Sequence, residues 1–151
     1  MWTGTMILTA AANALAVIGI GGGLYEFLVV DPYWPKRQDL IQPAKGGISR
    51  KRFWIPAHVL FELTLLLALI LSWSIPNVRW WLLVAVGSHA IMRIWSAFDF
   101  IPKALAFERI DTGFIEKEAR SWILRSRLRL PLDIVTALAT LCAFVAAARM
   151  N

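Results

Sequence analysis

Charge is missing from most of this chain, and the uncharged stretches are long. No charged side chain precedes Glu26. Glu62 stands alone between Arg52 and Arg79, Arg93 alone between Arg79 and Asp99, and Asp133 alone between Arg129 and Arg149. A helix that crosses the hydrocarbon core of a bilayer needs roughly 20 mostly apolar residues. Four segments meet that length, at about 6–30, 54–75, 80–98 and 130–148. Only 17% of the residues are charged and 58% are apolar, whereas soluble domains run to about 25% charged. A water-soluble four-helix bundle would also need polar outer faces, and these segments lack them. The expectation is an all-α integral membrane four-helix bundle, a single transmembrane domain over residues 1–151.

The ends of the segments give the topology. The first begins Met-Trp-Thr-Gly-Thr without a basic flank, and it is longer than the apolar core of a cleaved signal peptide, so it reads as a retained span. Lys36, Arg37, Lys45, Arg50, Lys51 and Arg52 fall in the 31–52 connection. Lys103, Arg109, Lys117, Arg120, Arg125, Arg127 and Arg129 fall in the 99–129 connection. Arg79 and Arg149 are the basic residues of the other side. Positive residues stay in the cytoplasm, so both long connections are expected there and both termini outside, in a bacterial inner membrane. The net charge of +6 then belongs to a membrane surface and suits anionic lipid headgroups. It gives no reason to expect nucleic acid. Cys142 lies inside the last segment and reads as a small buried apolar residue, with no disulfide framework.

Prolines punctuate the spans. Pro56 and Pro131 are expected to open the second and fourth, since proline fits a helix's first turn. Pro76 and Pro102 are expected to stop the second and third. Asp111 to Arg127 is amphipathic, with Phe114, Ile115, Ala119, Trp122 and Ile123 along one side. It reads as an interfacial helix or, equally, as a short helix packed on the bundle. Ser49 to His58 faintly echoes Ser126 to Asp133, and Asp31…Pro35-Lys36 echoes Asp99…Pro102-Lys103; a parallel repeat and chance both explain this. Gly46-Gly47 is a turn signal. Trp34, Trp54, Trp80, Trp81 and Trp122 fall near span ends, where tryptophans form aromatic belts.

Six ionisable residues remain inside the spans: Glu26, His58, Glu62, His89, Arg93 and Asp133. Such residues are costly in lipid and are candidate functional groups by default. At about 1.5 Å rise per residue, counting from the expected span ends puts His58 and Asp133 roughly 3 Å deep, Glu26 roughly 6 Å, Arg93 roughly 8 Å, Glu62 roughly 9 Å and His89 roughly 14 Å. All six fall in the cytoplasmic half. Gly19-x-x-x-Gly23 leads to Glu26 on one stripe of the first span and allows close helix approach. His58 and Glu62, like His89 and Arg93, are four apart and share a helix side.

Three readings follow for this cluster. One is a self-satisfied network in which Glu62 pairs with Arg93. Another is a metal site, because histidines and carboxylates from facing helices are the ligands of bundle metal centres. His58, Glu62, His89 and Glu26 would hold it, with iron or copper as the candidate ions, although Arg93 opposes a cation. A haem between the two histidines is disfavoured by their depth difference of roughly 11 Å. The third is a pocket for a lipophilic molecule. There His58 or His89 does acid–base work and Arg93 stabilises an anion, with Asp133, Trp95 and Phe98 as further lining.

Gly22-Gly-Leu-Tyr-Glu26-Phe-Leu-Val-Val-Asp-Pro32-Tyr-Trp34, then Arg52-Phe-Trp-Ile-Pro56, Arg79-Trp-Trp-Leu-Leu, Phe100-Ile-Pro102 and Trp122-Ile-Leu-Arg125 follow in order. This order resembles the small four-span membrane proteins grouped with anthrone oxygenases, over residues 19–145. The characterised relatives oxidise polycyclic anthrones to quinones without a conventional cofactor. The resemblance implies a base that makes a substrate carbanion, which then reacts with O₂. On that basis His58 or His89 is the base, Arg93 the oxyanion partner, and Glu26 and Glu62 tune them; neither histidine maps onto a known catalytic position. The leading expectation is a small membrane oxidoreductase acting on a lipophilic, aromatic or quinone-like substrate. The alternatives are a non-enzymatic membrane protein binding a lipid, a metal or a partner, and a sterol-isomerase-like membrane enzyme. A homo-oligomer built on the small-residue stripe of the first span remains open.

Overall fold

The structure is a computed structural model that describes residues 2–109 and 116–150. Its elements are α1 (Trp2–Tyr25), α2 (Lys51–Leu71), α3 (Pro76–Trp95), α4 (Ile101–Arg109), α5 (Glu116–Ser126) and α6 (Leu130–Ala148). All regular structure among these residues is helical, and four helical rods are long and apolar enough to cross a membrane: Gly4–Val30, Lys51–Leu71, Pro76–Arg109 and Glu116–Ala148. Their outer faces carry exposed Ile, Leu and Val along nearly their whole length.

The rods differ from the expected spans at their ends, for local reasons. α2 begins at Lys51, so Pro56 lies inside the helix and does not open it. Pro76 opens α3, where a residue without a backbone N–H is harmless. Pro102 does not end the third rod. A π turn over Ser96–Phe100 precedes it, and α4 continues through it to Arg109. The first rod has a matching π turn at Glu26–Val30, with Pro32 two residues on. Such turns insert one residue into the helical ladder and are common where a helix carries function. Pro131 lies at the start of α6 as expected, but a 3₁₀ turn at Arg127–Arg129 joins α6 to α5 in one rod.

Around the bundle, α1 packs on α2 and α6, and α3 packs on α6, while α2 and α3 are the most loosely packed of these neighbouring pairs. One core runs between the helices through Ala12, Phe61, Leu65, Leu82, Ala85 and Ala143. A second core sits at the end that carries the basic residues. There the 31–50 segment folds through two 3₁₀ turns and packs Trp34 and Ile41 on Phe100, Phe107 and Trp122. Trp34 is fully buried and meets the Phe107 ring at a tilt, 5.4 Å between centroids, and the Trp122 ring edge-on at 6.1 Å. Trp34 and Trp122 are therefore interior residues, not belt residues; Trp80 and Trp81 are exposed. The apolar side of α5, with Ala119, Trp122 and Ile123, is covered by this second core and does not face outward as an interfacial helix would. The rest of the amphipathic stretch, residues 111–115, lies outside the described residues. Gly46 takes the left-handed conformation (φ 85°), and a Cβ on Gly47 would stand 2.2 Å from the Asp39 carbonyl oxygen.

Candidate functional site

A cavity of about 480 Å³ opens in the basic half of the bundle, a size typical of small-molecule sites. The first rod contributes Gly19, Gly23 and, from its π turn, Glu26; α2 contributes Trp54, His58 and Phe61; the third rod contributes His89, Arg93 and, from its π turn, Ser96. Arg129, Asp133 and Thr136 close it from the fourth rod, and Arg50, Lys51 and Glu108 stand at its basic rim.

Its polar centre is a junction between α2 and α3. Arg93 Nε donates to Glu62 Oε1 at 2.8 Å, and His89 Nε2 lies 3.2 Å from the same oxygen. The expected Glu62–Arg93 pair is thus present. His89 is buried, held edge-on by the Phe61 ring at 4.8 Å. His58 stands beside it with ring centroids 5.8 Å apart, stacked on Trp54 at 5.4 Å. Trp54 Nε1 in turn donates to Glu26 Oε1 at 2.9 Å, which ties α2 to the π turn of the first rod.

This geometry corrects the depth estimate. Counting from the expected span ends sets the two histidines roughly 11 Å apart along the bundle axis, yet their rings are neighbours. The reason is the start of α2: it begins at Lys51, five residues before Pro56, which sets His58 roughly 7 Å deeper and brings it near the level of His89. The objection to a group shared by both histidines falls with it. His58, Glu62 and His89 each offer a ligand atom within 4.8 Å of the others. Glu26 is not part of that group, being bound to Trp54.

Other expectations fare differently. Asp133 lines the cavity. Phe98 does not: it is 84% exposed and points away from the bundle. Trp95 packs on Phe100 at 5.3 Å as part of the second core. Gly19 and Gly23 do not bring a helix close, since a Cβ at either would meet nothing within 4 Å; they form bare cavity wall. The close-approach glycine is Gly22, where a Cβ would lie 2.3 Å from the Phe53 ring.

Several lining residues escaped the sequence reading. Arg129 donates to Ser96 Oγ at 2.8 Å and the Ser126 carbonyl at 3.2 Å, and lies 4.4 Å over the Phe100 ring. Glu108 accepts Lys51 Nζ at 2.9 Å, with buried Arg50 at 3.7 Å. A signal was available: His89, Arg93, Ser96, Phe100, Ala104 and Glu108 form one stripe at helical spacing, legible only if the helix is carried through Pro102. Just beyond the first rod, burial pushes the Asp31 carboxyl up to about 6, although the Trp34 indole N–H donates to it at 2.9 Å.

Comparison of the chain with protein-family models, with curated protein sequences and with solved structures finds no match.

Proposed function

We propose that this protein is an integral membrane enzyme that binds a lipophilic molecule in the cavity and moves a proton on it. The observation that carries the reading is the triad at the α2–α3 junction, where Glu62 joins His89 and Arg93 and His58 stands 5.8 Å from His89. His58 is the better base of the two. It lines the cavity, and no hydrogen bond to it is found among the described residues, whereas His89 is held by Glu62. Arg93 uses Nε on Glu62, which leaves its terminal nitrogens for a developing oxyanion. Glu62 keeps His89 and Arg93 in place.

The oxygenase assignment rests on the resemblance to the anthrone oxygenases. In that chemistry His58 removes a proton from an acidic C–H, and the electron pair passes to the adjacent carbonyl oxygen beside Arg93. The resulting carbanion reduces O₂, so that a CH₂ group becomes C=O and water leaves. The basic end would face the cytoplasm by the positive-inside rule.

A second reading draws on the same junction. His58, Glu62 and His89 are close enough to converge on one metal ion. Arg93 already occupies the Glu62 oxygen nearest His89, so an ion would have to displace a guanidinium. That weighs for the proton-transfer reading.

The test is to extract the protein and identify the small molecules and metals that come with it. The proton-transfer reading expects a bound hydrophobic molecule, no stoichiometric iron or copper, and O₂ uptake with a substrate bearing an acidic C–H. Replacing His58 and His89 together by Gln should abolish that uptake. Turnover retained in the double variant rejects it, and one equivalent of metal lost with the same variant favours the second reading.

A further inference from the structure

The helices do not close on the cavity equally. Behind it, Asn13 of α1 donates to the Ala137 carbonyl at 2.9 Å and to Thr140 Oγ1 at 3.1 Å, which ties α1 to α6. Ser88 of α3 donates to the Leu132 carbonyl at 2.8 Å, which ties α3 to α6. The front is different. α2 and α3 are joined by a short turn yet are the most loosely packed of the neighbouring helices. Among the described residues, two sets of polar ties cross that side. Glu62 reaches His89 and Arg93 deep in the bundle, and Lys51 reaches Glu108 at the rim.

Lys51 and Glu62 lie eleven residues apart on α2, about 16 Å along the helix. Between the two ties the exposed part of the wall is apolar, with half-buried His58 behind it. Ile55 and Val59 of α2 and Ile101 of α4 line the cavity and are also exposed on the outer surface. A side wall that is both cavity lining and outer surface is an opening.

We propose that this side opening is the route by which the ligand reaches the cavity from the lipid phase, and that Gly19 and Gly23 set how far in it travels. The proposal rests on the membrane-embedded cavity described above, but not on its chemistry. It also names the ligand class: a neutral lipophile, slim enough to pass as a single chain or one flat ring system. The ion pairs frame the opening and leave its middle apolar, so nothing there would compensate a charged group crossing it. α1 stands across the cavity, and its bare Gly19–Gly23 wall leaves room around the level where Gly22 meets Phe53, on the way in to Phe61 and His89. Because a Cβ at either glycine meets nothing within 4 Å, a larger side chain there would grow into the cavity without disturbing helix packing.

The test uses the full chain in phosphatidylcholine nanodiscs with a long-chain ketone bearing a diazirine, photolysed at intervals and mapped by mass spectrometry. Adducts are expected at Ile55 and Val59 early, and at Phe61 and Met92 later. The paired substitution Val59→Trp and Ile101→Trp should slow the deep adducts by at least about tenfold. Gly23→Leu should cut the deep adducts while leaving those at Ile55 and Val59. Thermal unfolding of each variant checks that it is folded, and Gly19→Leu serves in place of Gly23→Leu if that one is not. Deep adducts that form equally fast in the tryptophan variant overturn the side route and point to access through the basic rim. Deep adducts unchanged in the leucine variant overturn the role of the glycines. No deep adducts in the native protein would overturn this proposal and the ligand-binding cavity together. Normal deep labelling without O₂ uptake would sink only the chemistry.

Discussion

His58 and His89 come from different helices, yet their rings lie 5.8 Å apart, one of them held by Glu62 and the other stacked on Trp54. That relationship makes the junction between α2 and α3 the focus of the molecule. It also makes the Glu62–Arg93 pair the group that positions His89.

Glu62→Gln should loosen the junction, because Arg93 is left without its carboxylate. Both side chains are about one-third exposed, so the expected loss is modest, about 1 kcal/mol. The double variant Glu62→Gln, Arg93→Gln should lose less than the two single losses added together. Thermal unfolding of the three variants in a neutral detergent measures this; strict additivity would show that the pair is not coupled.

Asp31 gives the protein a pH dependence of a stated sign. Burial raises its carboxyl from the usual 3.8 to about 6, which corresponds to about 3 kcal/mol against the ionised form. The folded state therefore binds the extra proton. Asp31's contribution to stability is greatest below pH 4 and falls as the pH rises to about 6, then levels off. Asp31→Asn keeps an acceptor for the Trp34 indole and removes the charge. The variant should gain stability relative to the native chain as pH rises from 4 to 7, and melting curves across that range would show it.

The glycines should separate by place. Gly47→Ala would set a methyl against the Asp39 carbonyl, and Gly46→Ala would force a left-handed backbone at φ 85°. Each should cost more than about 1 kcal/mol. Gly19→Ala sits in a helix against open space, and should gain roughly 0.5–1 kcal/mol. Unfolding midpoints of the three variants would give the order.

Trp34 anchors the second core, where it is fully buried among Phe107, Trp122 and the Arg50 guanidinium. Trp34→Ala should cost about 3–5 kcal/mol. A belt tryptophan such as Trp80, 62% exposed, should lose far less on the same change. Equal losses in the two variants would contradict the interior placement of Trp34.

Residue order alone was enough for the four apolar rods. A long uncharged run has few other low-energy states in apolar surroundings, because only the helix satisfies every backbone group internally. It was also enough to gather Glu26, His58, Glu62, His89, Arg93 and Asp133 at one end, since charge spacing along each run sets coarse depth. What it could not yield was which of those groups touch. Each residue by which a helix start is misplaced moves a side chain about 1.5 Å along the axis and about 100° around it. Opening α2 at Pro56 is such an error: it sets His58 roughly 7 Å too shallow and so separates two histidines that are neighbours. The π turns at Glu26–Val30 and Ser96–Phe100 add a further rotation that no periodicity shows. Tertiary packing alone decided that Phe98 points outward, that Trp34 and Trp122 are core, and that Gly19 and Gly23 face empty space and not a neighbouring helix. Those outcomes depend on how neighbouring rods are set against one another, and that is a property of the assembled bundle, not of any one segment.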